Sequence, residues 1–291
     1  MIKGFMEKAK VGGGTNSTYL ALIPKETNPE TFARFRPISL CNASYKILAK
    51  LLANRIKPLL NRLISSNQGG FVEGRHILDN VILVQEIIHS NNQRKEKGIL
   101  IKLDMANAFD QVNRSFLYKV LLSYGFSPHF VNLITACTHN PWISPLVNGL
   151  RQGCPLSPFL YILMADSLSR KLSAEKVSGS LPGLKPSPSS PAQNHALFAD
   201  DSLLLGGASI RIAKAFDSVL KCYCRVSGAS INEIKSEIYG WNIGQQELTR
   251  ISNLLGFNGH AHWEKINYLG LPITNCFTNR SLWSEIISKI K

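Results

Sequence analysis

Two short apolar runs, His195-Ala-Leu-Phe198 and Ser202-Leu-Leu-Leu205, stand on either side of Ala199-Asp200-Asp201. Short apolar segments joined by a polar turn predict a β-hairpin, because each strand can satisfy its buried backbone groups on the other. That places two adjacent carboxylates at a hairpin tip. A further run, Ile99-Leu-Ile-Lys-Leu103, follows Gly98 and ends at Asp104; its length and β-branched residues predict a buried strand. Three acids therefore end strands in a chain that is short of acids. It has 33 Lys+Arg against 19 Asp+Glu, a net charge of +14 and a pI of 9.6. Adjacent carboxylates repel each other, and burial raises their pKa values further. A hard divalent cation such as Mg2+ relieves the conflict by accepting carboxylate oxygens. Two such ions can clamp the attacking and leaving oxygens of a phosphoryl transfer. The plainer reading of an isolated Asp-Asp pair is a turn former.

The flanking chain reads mainly as helix. From Asn42 to Ile64 the apolar positions Ile47, Leu48, Leu51, Leu52, Ile56, Leu59, Leu60 and Leu63 keep helical spacing, and Pro58 should kink or divide the element. Lys46, Lys50, Arg55, Lys57 and Arg62 make it basic. A helix is expected from about Leu78 to Arg94, another from an Asn113 cap to Tyr124 with Gly125 as its stop, and another opened by Ser127-Pro128. Trp142 to Val147 predicts a strand, and Pro158 opens an apolar helix. Leu181 to Pro191, rich in proline and serine, predicts an exposed loop. A helix from Ile210 to Tyr223 and a strand from Ile234 to Trp241 follow. This order predicts an α+β fold, an antiparallel sheet backed by helices.

With 44% hydrophobic residues, the 291-residue chain can fill a core. Six cysteines without a CxxC pair exclude a disulfide-built mini-protein and give no zinc signature. The first residues, MIKGFMEKAK, lack the apolar core of a signal peptide and read as a basic amphipathic helix. Apolar runs are too short for a membrane helix. The positive charge by itself suits nucleic acid or an anionic surface.

Seven blocks in order carry a resemblance. They are Ile23-Pro-Lys25, Phe35-Arg-Pro-Ile-Ser-Leu40, Gln68-Gly-Gly-Phe71 with Gly74-Arg75, and Lys102-Leu-Asp104 with Ala108-Phe-Asp110. Leu150-Arg-Gln-Gly-Cys-Pro-Leu-Ser-Pro158, Phe198-Ala-Asp-Asp201 and Tyr268-Leu-Gly-Leu-Pro272 complete the set. Through these blocks the chain resembles the reverse transcriptase domain of non-LTR (LINE-type) retrotransposons, most of all those of plants, from about Asn16 to Lys291. The resemblance implies a right-hand polymerase fold with fingers and palm. It implies RNA-directed DNA synthesis on an RNA template and a DNA primer from deoxynucleoside triphosphates, with two Mg2+ ions, or Mn2+ in their place.

It further implies a role for particular residues. Asp104, Asp200 and Asp201 match the catalytic metal ligands. Lys25 and Arg36 match fingers residues that grip the triphosphate, for which an arginine fork is suited. Phe109 matches the ring under the sugar that excludes a ribose 2′-hydroxyl. Gln152 and Gly153 match the block along template and nucleotide, and Lys235 matches a lysine near the leaving pyrophosphate. Tyr268, Leu269 and Gly270 match the hairpin that supports the primer. Asp110 reads instead as a structural or helix-capping acid. By the same correspondence, 1–15 is an N-terminal remnant, 16–98 fingers, 99–112 the first palm strand and 113–149 a connection. Residues 150–241 are palm, and 242–291 hold the primer-supporting hairpin and the start of a thumb.

There are departures. Val147-Asn148-Gly149 runs directly into Leu150-Arg151-Gln152-Gly153, so part of the family's hairpin is missing, and Gln152 is expected to be displaced. Asn107 replaces a basic residue of the family. The thumb is expected to be largely missing, as in a fragment of a decayed element. Three readings follow: an RNA-directed DNA polymerase domain, a catalytically dead nucleic-acid-binding relic, and another two-metal phosphoryl-transfer enzyme such as a nucleotide cyclase. An intracellular site, nucleus or cytoplasm, is expected, with no membrane partner; protein partners are not indicated.

Overall fold

A computed structural model describes residues 2–12, 14–31, 34–139 and 149–275. Its elements run α1 (Ile2–Lys8), β1 (Thr18–Pro24), β2 (Phe35–Cys41), α2 (Ala43–Ile56), α3 (Leu60–Leu63), α4 (Ile77–Gln93), β3 (Gly98–Leu103) and β4 (Met105–Ala106). Then come α5 (Arg114–Ser123), α6 (Pro128–Thr138), α7 (Ser157–Val177), β5 (His195–Phe198), β6 (Asp201–Gly207) and α8 (Ile210–Ser227). The last are β7 (Ser230–Ile231), β8 (Glu237–Trp241), α9 (Gln245–Leu255), β9 (Asn258–His260), β10 (Lys265–Tyr268) and β11 (Leu271–Thr274). The described residues form two compact units. One takes the chain up to Ile64, Asn107–Ser167 and Arg225–Ser230; the other takes Ser65–Ala106, Leu168–Cys224 and Ile231 onward.

In the first unit β1 and β2 make an antiparallel hairpin, paired from Thr18↔Cys41 to Pro24↔Phe35. Asn42 caps α2 by accepting from the Ser44 amide, and the helix buries Tyr45, Leu48, Ala49, Leu52, Ala53 and Ile56. Pro58 divides the helical region as expected: a short 3-10 turn, Lys57–Leu59, separates α2 from α3. Asn113 caps α5 through Oδ1, which accepts from the Phe116 amide at 3.1 Å. Ser127 caps α6 by accepting from the Phe130 amide at 3.2 Å, with Pro128 in the first turn.

The second unit is built on a five-stranded sheet ordered β5-β6-β3-β8-β9. It is antiparallel from β5 to β8, as predicted, but β9 joins the edge in parallel. One face is covered by α4, whose Val81, Val84, Ile87 and Ile88 pack with Leu100, Leu203, Leu205, Tyr239 and Trp241. Gly98 has a packing reason. A Cβ there would stand 2.1 Å from the Trp241 ring, so only glycine lets the indole lie across β3. The β10–β11 hairpin also joins this core through Ile266, Tyr268 and Ile273.

Several expectations change. The strand expected from Ile234 begins at Glu237, because Asn232 to Lys235 close a turn in which the Lys235 amide donates to the Asn232 carbonyl at 3.2 Å. The 181–191 segment is a loop, yet Leu181 is buried and Leu184 exchanges backbone hydrogen bonds with Gln193. The helix expected to end at Tyr223 runs on to Ser227. The β1–β2 hairpin, α9 and β9 were not foreseen. The strand expected from Trp142 to Val147 lies outside the described residues.

Candidate active site

Strand register decides where the acids of the second unit stand. β6 pairs β3 antiparallel, with Leu103 opposite Ser202. Asp104 leaves β3 at the end where Asp201 opens β6. Phe198 pairs with Asp201, so Ala199 and Asp200 form the two-residue turn of the hairpin. All three carboxylates therefore gather at one end of the sheet. Asp104 is held by its backbone: its amide donates to Ser236 Oγ at 3.1 Å, and its carbonyl accepts from the Asn232 amide at 2.8 Å. Ser236 is fully buried, so this brace is protected from water.

The charge is crowded. Burial is the main cause that pushes the Asp201 carboxyl up to about 6; Asp200 and Asp104 add to it, and Lys102 opposes it. Among the described residues no three His, Cys, Asp or Glu side chains are drawn close enough to form a closed ligand sphere. The three aspartates are neighbours on the sheet end, not a tight cage.

Tyr268 is buried in the same unit, and its phenol is pushed upward, first by burial and then by Asp201 and Asp200, with Asn80 opposing. Tyr268 lies in the core cluster against which Phe198, the residue that leads into the acidic turn, is packed. Leu269 and Gly270, which follow it, both have positive φ, +54 and +82, as a tight hairpin turn requires. Lys235 is exposed on the turn after Asn232, the residue bonded to Asp104.

The first unit assembles a different group. Lys25 and Arg36 are exposed on the β1–β2 hairpin, where Ile23 pairs with Arg36 and the Lys25 amide donates to the Arg34 carbonyl at 2.8 Å. Arg34 itself is ion-paired with Glu26. The Gln152 carbonyl accepts from the Ser39 amide at 2.8 Å, and its Nε2 donates to the Asp110 carboxylate at 3.2 and 3.4 Å. Gly153 has φ +90, and a Cβ there would lie 3.1 Å from the Ser39 carbonyl oxygen. Burial raises Asp110, while the Gln152 bond and the Lys25 charge hold it down. Asp110 caps no helix, since Asn113 does that for α5. Phe109 packs its ring on Tyr161 with centroids 4.9 Å apart. Lys25, Asp110, Gln152 and Gly153 thus come together, and Phe109 follows Ala108 on the same turn.

The matching family model is "Reverse transcriptase (RNA-dependent DNA polymerase)", and it covers residues 23–273. The chain belongs to that family. An uncharacterized 149 kDa protein of transposon TX1 from Xenopus laevis is 31% identical over 228 residues, which are 75% of this chain and 17% of that protein. The Pol polyprotein of the type-2 retrotransposable element R2DM from Drosophila melanogaster is 27% identical over 227 residues, 73% of this chain and 20% of the polyprotein. These relatives agree with a reverse transcriptase domain of the non-LTR, LINE type. The chain spans about a fifth of their length. Telomerase from Candida tropicalis, solved with a fragment of telomeric RNA, superposes with a TM-score of 0.60 at 12% identity, over 93% of this chain and 45% of that one. That likeness shows the right-hand polymerase fold.

One residue that sequence reasoning quoted without assigning a role is Gln68. Its fully buried side chain bonds to the backbone of Ala199, beside the acidic turn. The signal was the Gly69-Gly70 pair, which marks a close backbone approach.

Proposed function

We propose that this reverse transcriptase domain carries RNA-directed DNA polymerase chemistry, adding deoxynucleotides to the 3′ end of a primer on an RNA template. The observation that carries the reading is the register that sets Asp104 beside Asp200-Asp201 at one end of the sheet. The hard oxygen donors and the charge crowding on Asp201 fit divalent cations. Asp104, Asp200 and Asp201 would hold two Mg2+ ions, with Mn2+ able to replace them. When bound, such ions supply neutralisation of charge on the attacking and leaving oxygens. The protein's own share is positioning and electrostatics. Asp104 is fixed through Ser236 and Asn232 rather than left on a free loop. Lys235 offers its cation to the departing pyrophosphate, and the Tyr268-Leu269-Gly270 turn supports the primer end. In the other unit Lys25 and Arg36 take the triphosphate, Phe109 lies under the sugar, and Gln152 with Gly153 lines the nucleotide and template.

A template surface is also available in the first unit. Residues 34–62 contain seven Lys or Arg and no carboxylate. Lys46, Lys50 and Arg55 line an open groove on α2 together with Ile47 and Leu51. Cations with an apolar floor suit a nucleic-acid backbone.

The test is primer extension on a primed RNA template with deoxynucleotides and Mg2+, beside the double variant Asp200→Asn, Asp201→Asn. Extension that disappears in the variant is the expected result. Equal template binding with no extension in either protein refutes the polymerase and leaves a binding relic. Cyclic products made without primer would point to a cyclase.

A further inference from the structure

Ala199, the residue before Asp200, has φ +56. An alanine stays in this left-handed conformation only where its surroundings fix it. The side chain of Gln68 does so. Gln68 Oε1 accepts the Ala199 amide and the Gly70 amide, each at 2.8 Å, and Nε2 donates to the Ala199 carbonyl at 3.4 Å. Two backbone N–H donors on one oxygen also fix which way the amide faces. A single side chain thus closes on both backbone groups of the residue that leads into the aspartate pair.

The clamp is itself anchored. The Gly69 amide donates to the Leu197 carbonyl at 2.8 Å, the Leu197 amide to the Asn67 carbonyl at 2.7 Å, and Arg75 Nη1 to the Gln68 carbonyl at 2.7 Å. Asn80 Nδ2 adds a bond to the Leu197 carbonyl at 2.9 Å. The two segments lie so close that a Cβ on Gly70 would stand 2.4 Å from the Ala199 nitrogen. Gln68 is wholly buried, so no water competes for these bonds.

We infer that Gln68 is a positioning residue for the aspartate hairpin: it holds Ala199 left-handed and so sets the direction in which Asp200 and Asp201 leave the turn. The inference rests on the polymerase reading of the site. Its consequence is that turnover depends on a side chain whose partners on the hairpin are all backbone atoms. Substrate affinity does not depend on it.

The test compares wild type with Gln68→Leu, Gln68→Asn and Gln68→Glu in the full chain. Leucine removes all three bonds, and asparagine is polar but too short to reach. Glutamate, kept protonated by its burial, offers an oxygen to both amides and an O–H that can donate to the Ala199 carbonyl. Two quantities are measured: single-nucleotide addition under Mg2+, resolved into kcat and KM per folded molecule, and hydrogen exchange of the Ala199 amide. Gln68→Leu and Gln68→Asn should lower kcat about a hundredfold, the scale of a small misplacement of reacting groups. KM for the deoxynucleotide should stay within about twofold, since uniform binding is untouched. The Ala199 amide should exchange at least about tenfold faster in both variants. Gln68→Glu should restore the protection and most of the turnover. Wild-type kcat in Gln68→Asn, or a protected Ala199 amide without Gln68, overturns the inference. If Gln68→Leu does not fold, the Asn and Glu pair carries the comparison. Wild type that fails to extend a primer refutes the polymerase reading instead, and the exchange measurement then decides the clamp alone.

Discussion

Replacing Asp201 by Asn should stabilise the protein while abolishing its turnover. The Asp201 carboxyl stands at about 6 against an ordinary 3.8, because it is buried and because Asp200 and Asp104 repel its charge. A raised value in the folded state means that the native protein holds this proton more tightly than the unfolded chain does. The stability so gained is complete below the unfolded value and is lost as the pH rises through 6. Above that pH the ionised group weighs against folding. At about 1.36 kcal/mol for each tenfold in proton affinity, the cost reaches about 3 kcal/mol. The carboxyl is partly open to solvent, and screening reduces the figure to about 1–2 kcal/mol. Asparagine keeps the shape and removes the charge. For a domain of this size the variant should melt about 2–8 °C higher at pH 7.5 in a chelating buffer. At pH 4 the two proteins should melt together, because the wild-type group is then mostly protonated. Thermal melts followed by circular dichroism between these two pH values measure the difference directly. A variant no more stable at neutral pH, or a difference that does not shrink on acidification, refutes the charge crowding inferred at the hairpin. The result expected is the familiar exchange of stability for a functional site.

Three further outcomes follow from particular contacts. Gly98→Ala forces a methyl to 2.1 Å from the Trp241 ring and should destabilise the protein by about 1–3 kcal/mol in urea unfolding. Joint replacement of Lys46, Lys50 and Arg55 by glutamine should reduce the slope of log binding constant against log salt by about 2 for single-stranded RNA, read by fluorescence anisotropy. An unchanged slope would remove α2 from the template surface. Phe109→Val should raise ribonucleotide incorporation relative to deoxynucleotides by about tenfold or more in primer extension, if the ring excludes the 2′-hydroxyl.

Local chemistry made much of this protein legible from its sequence. Asn113, Ser127-Pro128 and Pro58 act on their own neighbours, through a cap, a fixed φ or a missing amide, so the helix limits they set could be read directly. The hairpin around Asp200-Asp201 and the strand ending at Asp104 were equally plain, since apolar runs broken by acids leave few other solutions. The family is written in the order of the seven blocks along the chain. Segments with a weaker local signal were missed. The β1–β2 hairpin has strand residues with exposed faces, and β9 is three residues long and borrows its stability from β8.

The sequence by itself determined which acids end strands, where helices start and stop, and to which family the chain belongs, because each depends on nearest neighbours or on the order of motifs. Only the tertiary structure decided that Asp104 and Asp201 share one sheet end, that Ser236 and Asn232 brace Asp104, and that Gln152 stays fixed beside Ser39 and Asp110. It alone showed Gln68 closing on Ala199 across 131 positions of the chain. These are hydrogen bonds between residues far apart in sequence. Their geometry is set by strand register and burial, and no local pattern in the sequence encodes it.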